Sequence, residues 1–248
     1  MKNLLLLLLF PICVFSQSEL EREKIAFSYN QSRIKELKEE SRLFALEQKK
    51  LIEDYKSKNK ISESENFSLQ RIYNGIPIFF TTDNEGSSKT IRTNMLYPGG
   101  ALGLSVTGSG MFAGVWDGGK VRDTHLEFAG GKVILSDGAS TLSAHATHVT
   151  GTIIAAGASI TRRGIAYGAK ALTYDWDTDY NEMVNFGSLG YLVSNHSYGY
   201  NASGLPIWLF GSYDASSREI DVLSNTYPYY QIVLSAGNDR DTSLPHVV

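Results

Sequence analysis

Asp117, His145 and His148 are the side chains whose types and spacing point to chemistry. Asp117 closes an apolar run, Met111 to Trp116, and precedes Gly118-Gly119, while the histidines stand in the word His145-Ala146-Thr147-His148-Val149-Thr150-Gly151-Thr152. An Asp at a strand end, partly withdrawn from water, can hold the Nδ1 hydrogen of an imidazole and orient it without taking the proton. An imidazole held in that way is a general base, because its ordinary pKa lies near the working pH of most hydrolases. The same side chains also raise a metal-hydrolase reading with Asp117, His145 and His148 as ligands. Helical zinc hydrolases use His-Glu-x-x-His, and here the histidines are closer together with no Glu between them. His148 is therefore read as structural, and no metal is assigned. Taken alone, an Asp before two glycines is also an ordinary turn residue.

These groups need a scaffold that brings strand ends beside helix starts. Short apolar runs at Met111–Trp116, Lys132–Leu135, Ala171–Trp176, Tyr191–Ser194 and Gln231–Ala236 read as buried strands, since both faces of a parallel sheet are covered. Helices are expected at His145–Ala156, around Asn181–Phe186 and at Ser216–Asn225. Strands alternating with helices imply an α/β domain with a mainly parallel sheet, whose reacting groups gather at the carboxyl ends of the strands.

The N-terminal third has a different character. Lys2 followed by the apolar run Leu4–Phe10 reads as an export signal cleaved near Ser16, too short to cross a bilayer as a helix. Cys13, the sole cysteine, falls inside it, so a mature chain starting near Gln17 offers neither disulfides nor a thiol nucleophile. From Ser18 to about Asn66 the chain is dense in Lys and Glu, and Ile34, Leu37, Phe44, Leu51 and Tyr55 recur at helical steps. One amphipathic helix is the expectation. Ser68–Tyr73 and Ile76–Thr82 flank Asn74-Gly75, a pair that favours a tight hairpin because both turn positions tolerate positive φ. Asp83 to Thr93, polar and rich in small residues, reads as a linker.

Val115-Trp116-Asp117-Gly118-Gly119, with His125-Leu126-Glu127-Phe128 just downstream, resembles the Asp motif of the subtilase family of serine peptidases, and His145 to Thr152 resembles its His motif. Arg163-Gly164-Ile165-Ala166-Tyr167-Gly168-Ala169-Lys170 is similar to the family's Gly-Val-Ala-Pro-Gly-Ala connection, Ser194 to Gly199 to its substrate-binding strand, and Ser235-Ala236-Gly237-Asn238 to its oxyanion motif. The order Asp then His is the family's, with the serine expected last. These words run from about Leu102 to Asp241.

The resemblance implies a secreted endopeptidase with a subtilisin-like sheet, Asp117 orienting His145, and Asn238 donating its amide to the tetrahedral oxyanion. Loss of such a donor costs about 10² to 10³ in turnover in subtilisin. It implies that Ser197-Tyr198-Gly199 pairs with an extended protein or peptide substrate through main-chain hydrogen bonds and borders the pocket for the residue before the scissile bond. Tyr198 and His196 replace the commoner Leu and Met, and Ala146 stands where Gly is usual, so its methyl is expected to crowd the backbone near the imidazole. Residues 1–16 then form the signal peptide, 17–94 a propeptide-like region and linker, and 95–248 a partial peptidase domain. The nucleophile word Gly-Thr-Ser-x-x-x-Pro does not occur after Asn238, and Ser243 in Asp241-Thr242-Ser243-Leu244-Pro245 lacks the preceding Gly. The 248-residue polypeptide is accordingly expected to be inactive by itself. A non-catalytic peptide-binding or inhibitory remnant of the same fold stays open as the alternative. The chemistry requires no cofactor; relatives use calcium for stability, but no loop here spells out a calcium site.

Composition sets the outer limits. With 42% hydrophobic residues the chain can bury a sizeable core, and a net charge of −3 provides no basic face for nucleic acid. No later stretch is long and apolar enough to span a membrane.

Overall fold

The computed structural model describes residues 18–59, 61, 67–82, 93, 96–99, 102–158 and 163–238. The signal segment with Cys13, the linker from Asp83 to Arg92, and Ser243 lie outside the described residues.

The centre is a sheet of five strands in the order β4-β5-β3-β6-β8, formed by β3 (Phe112–Asp117), β4 (Val133–Leu135), β5 (Lys170–Asp175), β6 (Val193–His196) and β8 (Gln231–Leu234). Every pairing in it is parallel. Helix α3 (Ala144–Ile154) covers one face, and α4 (Asp179–Ser188) with α5 (Ala215–Thr226) covers the other. The chain is thus α/β with a parallel sheet between helices, the class that alternating strands and helices imply.

Strand β3 shows how one short sequence serves two layers, because successive side chains point to opposite faces. Val115 packs with Val121, Phe128, Ala146 and Val149 on the α3 side. Trp116 enters the larger cluster on the α4 side, stacked 4.2 Å from the Tyr174 ring and 5.0 Å from His196. Gly114 on that face leaves room for it, since a Cβ there would lie 2.6 Å from Trp116 and 2.9 Å from Phe186.

Strand β6 is displaced from the expected Tyr191–Ser194 to Val193–His196. Its polar end persists because the buried groups are satisfied: Ser194 Oγ lies 2.8 Å from His196 Nε2 and 2.7 Å from the Tyr230 hydroxyl, and His196 Nδ1 lies 2.9 Å from the Tyr198 hydroxyl. Burial holds the His196 imidazole well below its ordinary range, at about 4, so it packs as a neutral ring.

The N-terminal region forms two helices where one is expected, α1 (Glu19–Ser28) and α2 (Gln31–Asn59). Tyr29 takes an extended backbone with ψ 159°, and its ring meets that of Tyr227 edge-on at 5.3 Å. Asn30 then restarts the helix by accepting the Arg33 N–H at 3.1 Å. The break comes from a side-chain cap and a tertiary contact, without the Gly or Pro that marks most breaks. On α2, Ile34 and Leu37 are buried, and Phe44 meets Tyr180 at 6.2 Å. Leu51, expected on that face, is exposed.

Strands β1 (Phe67–Tyr73) and β2 (Ile76–Thr82) form the expected hairpin, with Asn74 and Gly75 both at positive φ. The hairpin continues into a three-stranded antiparallel sheet, β1-β2-β7, whose third strand is β7 (Tyr198–Tyr200). Only Ser197 separates β6 from β7, so one extended stretch serves both sheets. Among the described residues no helix is long and apolar enough to cross a membrane.

Candidate active site

Asp117 is the last residue of β3 and lies opposite Asp175 of β5. It is fully buried, at the carboxyl edge where an α/β sheet presents its reacting groups. The chain leaves β3 through Gly118-Gly119, where Gly119 has φ 147° and a Cβ would lie 2.7 Å from the Thr141 carbonyl oxygen. That close approach lets Lys120 N–H donate to Thr141 O at 2.8 Å and Ser143 N–H donate to Lys120 O at 2.9 Å. The turn after the aspartate is thereby tied to the turn before α3.

Ser143 caps α3 by accepting the Ala146 N–H at 3.0 Å, which fixes the first turn and with it His145. His145 Nδ1 lies 2.8 Å from both carboxylate oxygens of Asp117. Asp117 Oδ1 also accepts the Gly118 N–H at 2.7 Å, so the carboxylate is held from two sides. With Nδ1–H donated to Asp117, the neutral ring presents Nε2 as an acceptor. That Nε2 atom is buried and has no hydrogen-bond partner among the described residues. A buried acceptor normally has one, so this nitrogen is primed for a donor that the described residues do not supply.

Ala146 leaves the contact between His145 and Asp117 intact. Its methyl is buried in the cluster with Val115 and Phe128, and His145 keeps its bonds to Asp117. His148, one turn on, is exposed. Among the described residues no three His, Cys, Asp or Glu side chains converge as a metal-ligand set.

The neighbouring words have legible structural roles. His125 Nδ1 accepts the Glu127 N–H at 3.3 Å, and the Glu127 carboxylate accepts the N–H groups of Gly157 and Ala158 at 2.6 and 3.1 Å, anchoring the loop after α3. At Gly164 a Cβ would fall 2.5 Å from the Ala155 nitrogen, so only glycine fits that crossing.

Ser197, Tyr198 and Gly199 lie where β6 passes into β7. Gly199 pairs with Thr81 and Tyr198 with Thr82, so this main chain already holds a partner strand from the same molecule. The Tyr198 side chain points into the core, donating its hydroxyl hydrogen to Asp179 at 2.9 Å, while Ser197 Oγ accepts from Asn195 at 2.8 Å. Asn238 is exposed at the bend after β8, following Gly237 at φ 81°. Asp117 and His145 are in direct contact; the Ser197–Gly199 stretch follows β6, the strand beside β3, and Asn238 follows β8, one strand further out.

Two features escape a reading of the sequence. The rim beyond Asp117 is acidic: Asp137 accepts the Asp175 N–H, and burial, reinforced by Asp177 and Asp137, pushes the Asp175 carboxyl up to about 7. Behind it, the Trp116 indole N–H donates to Glu182 at 2.8 Å, yet burial raises the Glu182 carboxyl to about 9. The second feature is Arg71 of β1, buried against Glu219 and Asp179. The only local signal for it is a charged residue in an otherwise apolar strand face.

No family model matches the chain, and no curated protein matches it.

Proposed function

We propose that the chain carries the acid and base of a subtilisin-like serine endopeptidase, exported from the cell and covered by its own N-terminal region. The observation that carries this reading is the contact of His145 Nδ1 with both oxygens of buried Asp117, combined with an Nε2 that no described residue partners. A serine hydroxyl at Nε2 completes the arrangement; that serine lies outside the described residues. Its Oγ attacks the scissile carbonyl carbon as its proton passes to Nε2, and the charge that develops on the carbonyl oxygen is met by the Asn238 amide. Collapse of the tetrahedral intermediate breaks the C–N bond, and the imidazolium returns the proton to the leaving amine. Asp117 stays ionised throughout, fixing the tautomer and stabilising the imidazolium.

Strand β7 supports a peptide substrate in particular. It accepts β2 in antiparallel register, the strand-addition mode by which extended peptides bind through main-chain hydrogen bonds. In this reading β1–β2 is propeptide-like and occupies the strand a substrate would use. The same observation favours a second reading, a non-catalytic peptide-binding protein that works through β7 alone.

Sequencing the source DNA through and beyond codon 248, then treating the encoded product with a fluorophosphonate, separates the two. An open frame with a Gly-Thr-Ser word within about a hundred codons, in the family order Asp, His, Ser, and labelling that His145→Ala abolishes, supports the peptidase. A stop codon there, together with no labelling, removes the peptidase reading and leaves peptide binding.

A further inference from the structure

Arg71 stands on β1, one strand removed from β7, and reaches beneath the small sheet because of a bulge. Leu69 faces Phe79 and Arg71 faces Ile78, so Gln70 is the extra residue that turns the arginine inward. Its guanidinium donates through one terminal nitrogen to Glu219 of α5 and through the other to Asp179, the first residue of α4, at 3.4 Å. It also lies 5.5 Å from the centre of the Phe44 ring. Both carboxylates are almost wholly buried.

The walls of this chamber belong to β7 as much as to the helices. Asp179 accepts the Tyr198 hydroxyl at 2.9 Å, and Asp214 accepts the Tyr200 hydroxyl at 2.8 Å. A cavity of about 280 Å³ runs beside Arg71, bounded by Gly199 of β7 and by Ser235 just before the Asn238 bend. The acids are thus fixed in the sheet-and-helix body, while the cation that neutralises them arrives with the hairpin. That hairpin pairs with β7 at Phe80, Thr81 and Thr82, and Asn201 N–H just beyond β7 donates to Phe79 O at 2.8 Å.

We propose that this chamber is a subsite for the guanidinium-bearing side chain of an extended peptide, with Arg71 as its occupant in cis. The proposal rests on the reading of β7 as a peptide-binding strand and specifies the class of peptide: one carrying arginine. When the hairpin leaves β7, Asp179 and Glu219 are left close together, of like charge and without the Arg71 cation, and the next chain along β7 that brings a cation restores the balance. Arginine suits the site better than lysine, because a planar fork engages two carboxylates through separate nitrogens and stacks on an aromatic face. The acidic rim near Asp117 and His145, where Asp137 and Asp177 flank Asp175, favours the same charge.

The test uses the 248-residue chain with Arg71→Ala, titrated with Nα-acetyl-arginine amide and with its neutral isostere Nα-acetyl-citrulline amide. The arginine compound is expected to bind the variant at least about ten-fold more tightly than citrulline, to bind the wild-type chain no better than citrulline does, and to lose its advantage when Glu219→Gln is added. Equal binding of the two compounds to Arg71→Ala overturns the subsite. Should Arg71→Ala fail to fold, refolding it with either compound present decides the matter: recovery with arginine only supports the proposal, and recovery with neither or both overturns it. Neither measurement involves a nucleophile, so a failed subsite leaves the fluorophosphonate result standing, and absent labelling leaves the subsite standing.

Discussion

Two buried carboxylate sites divide the labour of this molecule. At the carboxyl edge of β3, Asp117 faces His145 and leaves one ring nitrogen without a partner among the described residues. Under the hairpin, Asp179 and Glu219 face Arg71, and the cation is bonded to both. The first leaves a ring nitrogen open, while the second is closed by charge neutralisation. An unsatisfied buried acceptor suits proton transfer, and a satisfied buried ion pair suits docking, because breaking it leaves an uncompensated charge.

The largest expected effect is at the first site. If, as proposed, the encoded product bears the serine, His145→Ala should lower kcat by about 10⁶, and Asp117→Asn by about 10⁴ through loss of the tautomer that frees Nε2. Fluorophosphonate labelling rates read both. If Asp117→Asn labels as fast as wild type, the 2.8 Å contact is structural and the distinction between the two sites disappears.

At the second site the effect is on stability. Arg71→Met retains an apolar stem but strands Asp179 and Glu219, and is expected to destabilise the chain by about 3 to 5 kcal/mol in urea unfolding. Adding Glu219→Gln should return part of that loss, with a coupling of about 1 to 3 kcal/mol between the positions. Strict additivity would show that the buried pair does no more than fill space.

Glu182 sharpens the contrast, since it is a partly buried carboxyl with no cation beside it among the described residues. Burial first, then Asp137, Asp175 and Asp179, raise it to about 9, against the pull of the Trp116 indole N–H. A carboxyl whose pKa is higher in the folded than in the unfolded chain stabilises the fold below its unfolded value. That stability is lost as pH rises from about 4.5 to about 9. Glu182→Gln should therefore melt higher than wild type at pH 8, by about 1 to 3 kcal/mol, with the difference closing near pH 4. Equal melting temperatures at pH 8 would mean that Glu182 is ionised in the fold.

The contrast also explains what the sequence could reveal. Asp117 and His145 are 28 residues apart, and each closes or opens an element whose pattern is local: an apolar run ending in Asp-Gly-Gly, and a capped helix of small residues. The parallel sheet follows from the same alternation of runs. Arg71 is 108 residues from Asp179 and 148 from Glu219, and what joins them is a bulge at Gln70 with no sequence signature. The break at Tyr29 has the same origin, since its partner Tyr227 belongs to the far end of α5. Local periodicity runs straight through that position, and only the tertiary contact and the Asn30 cap interrupt it. Elements set by neighbouring residues were legible. Contacts set by distant ones were not.

Asp214 gives the smallest effect and the finest test of the second site. It caps α5 by accepting the Ser217 N–H at 2.9 Å, and it accepts the Tyr200 hydroxyl of β7 at 2.8 Å. Partial burial pushes its carboxyl up, but the Ser217 N–H and the Tyr200 hydroxyl outweigh that and hold it below its ordinary value. A lowered carboxyl contributes stability above its unfolded pKa and loses it as pH falls through the folded one. Because the group is only partly buried, solvent screening keeps the charge contribution small, and Asp214→Ala should cost about 1 kcal/mol at pH 7, mostly through the lost cap. The cost should shrink below about pH 3.8 as the wild-type carboxyl protonates. If Asp214→Asn, which retains a cap acceptor, costs as much as Asp214→Ala, the charge matters more than the cap, and the acidic chamber beside β7 extends to this residue.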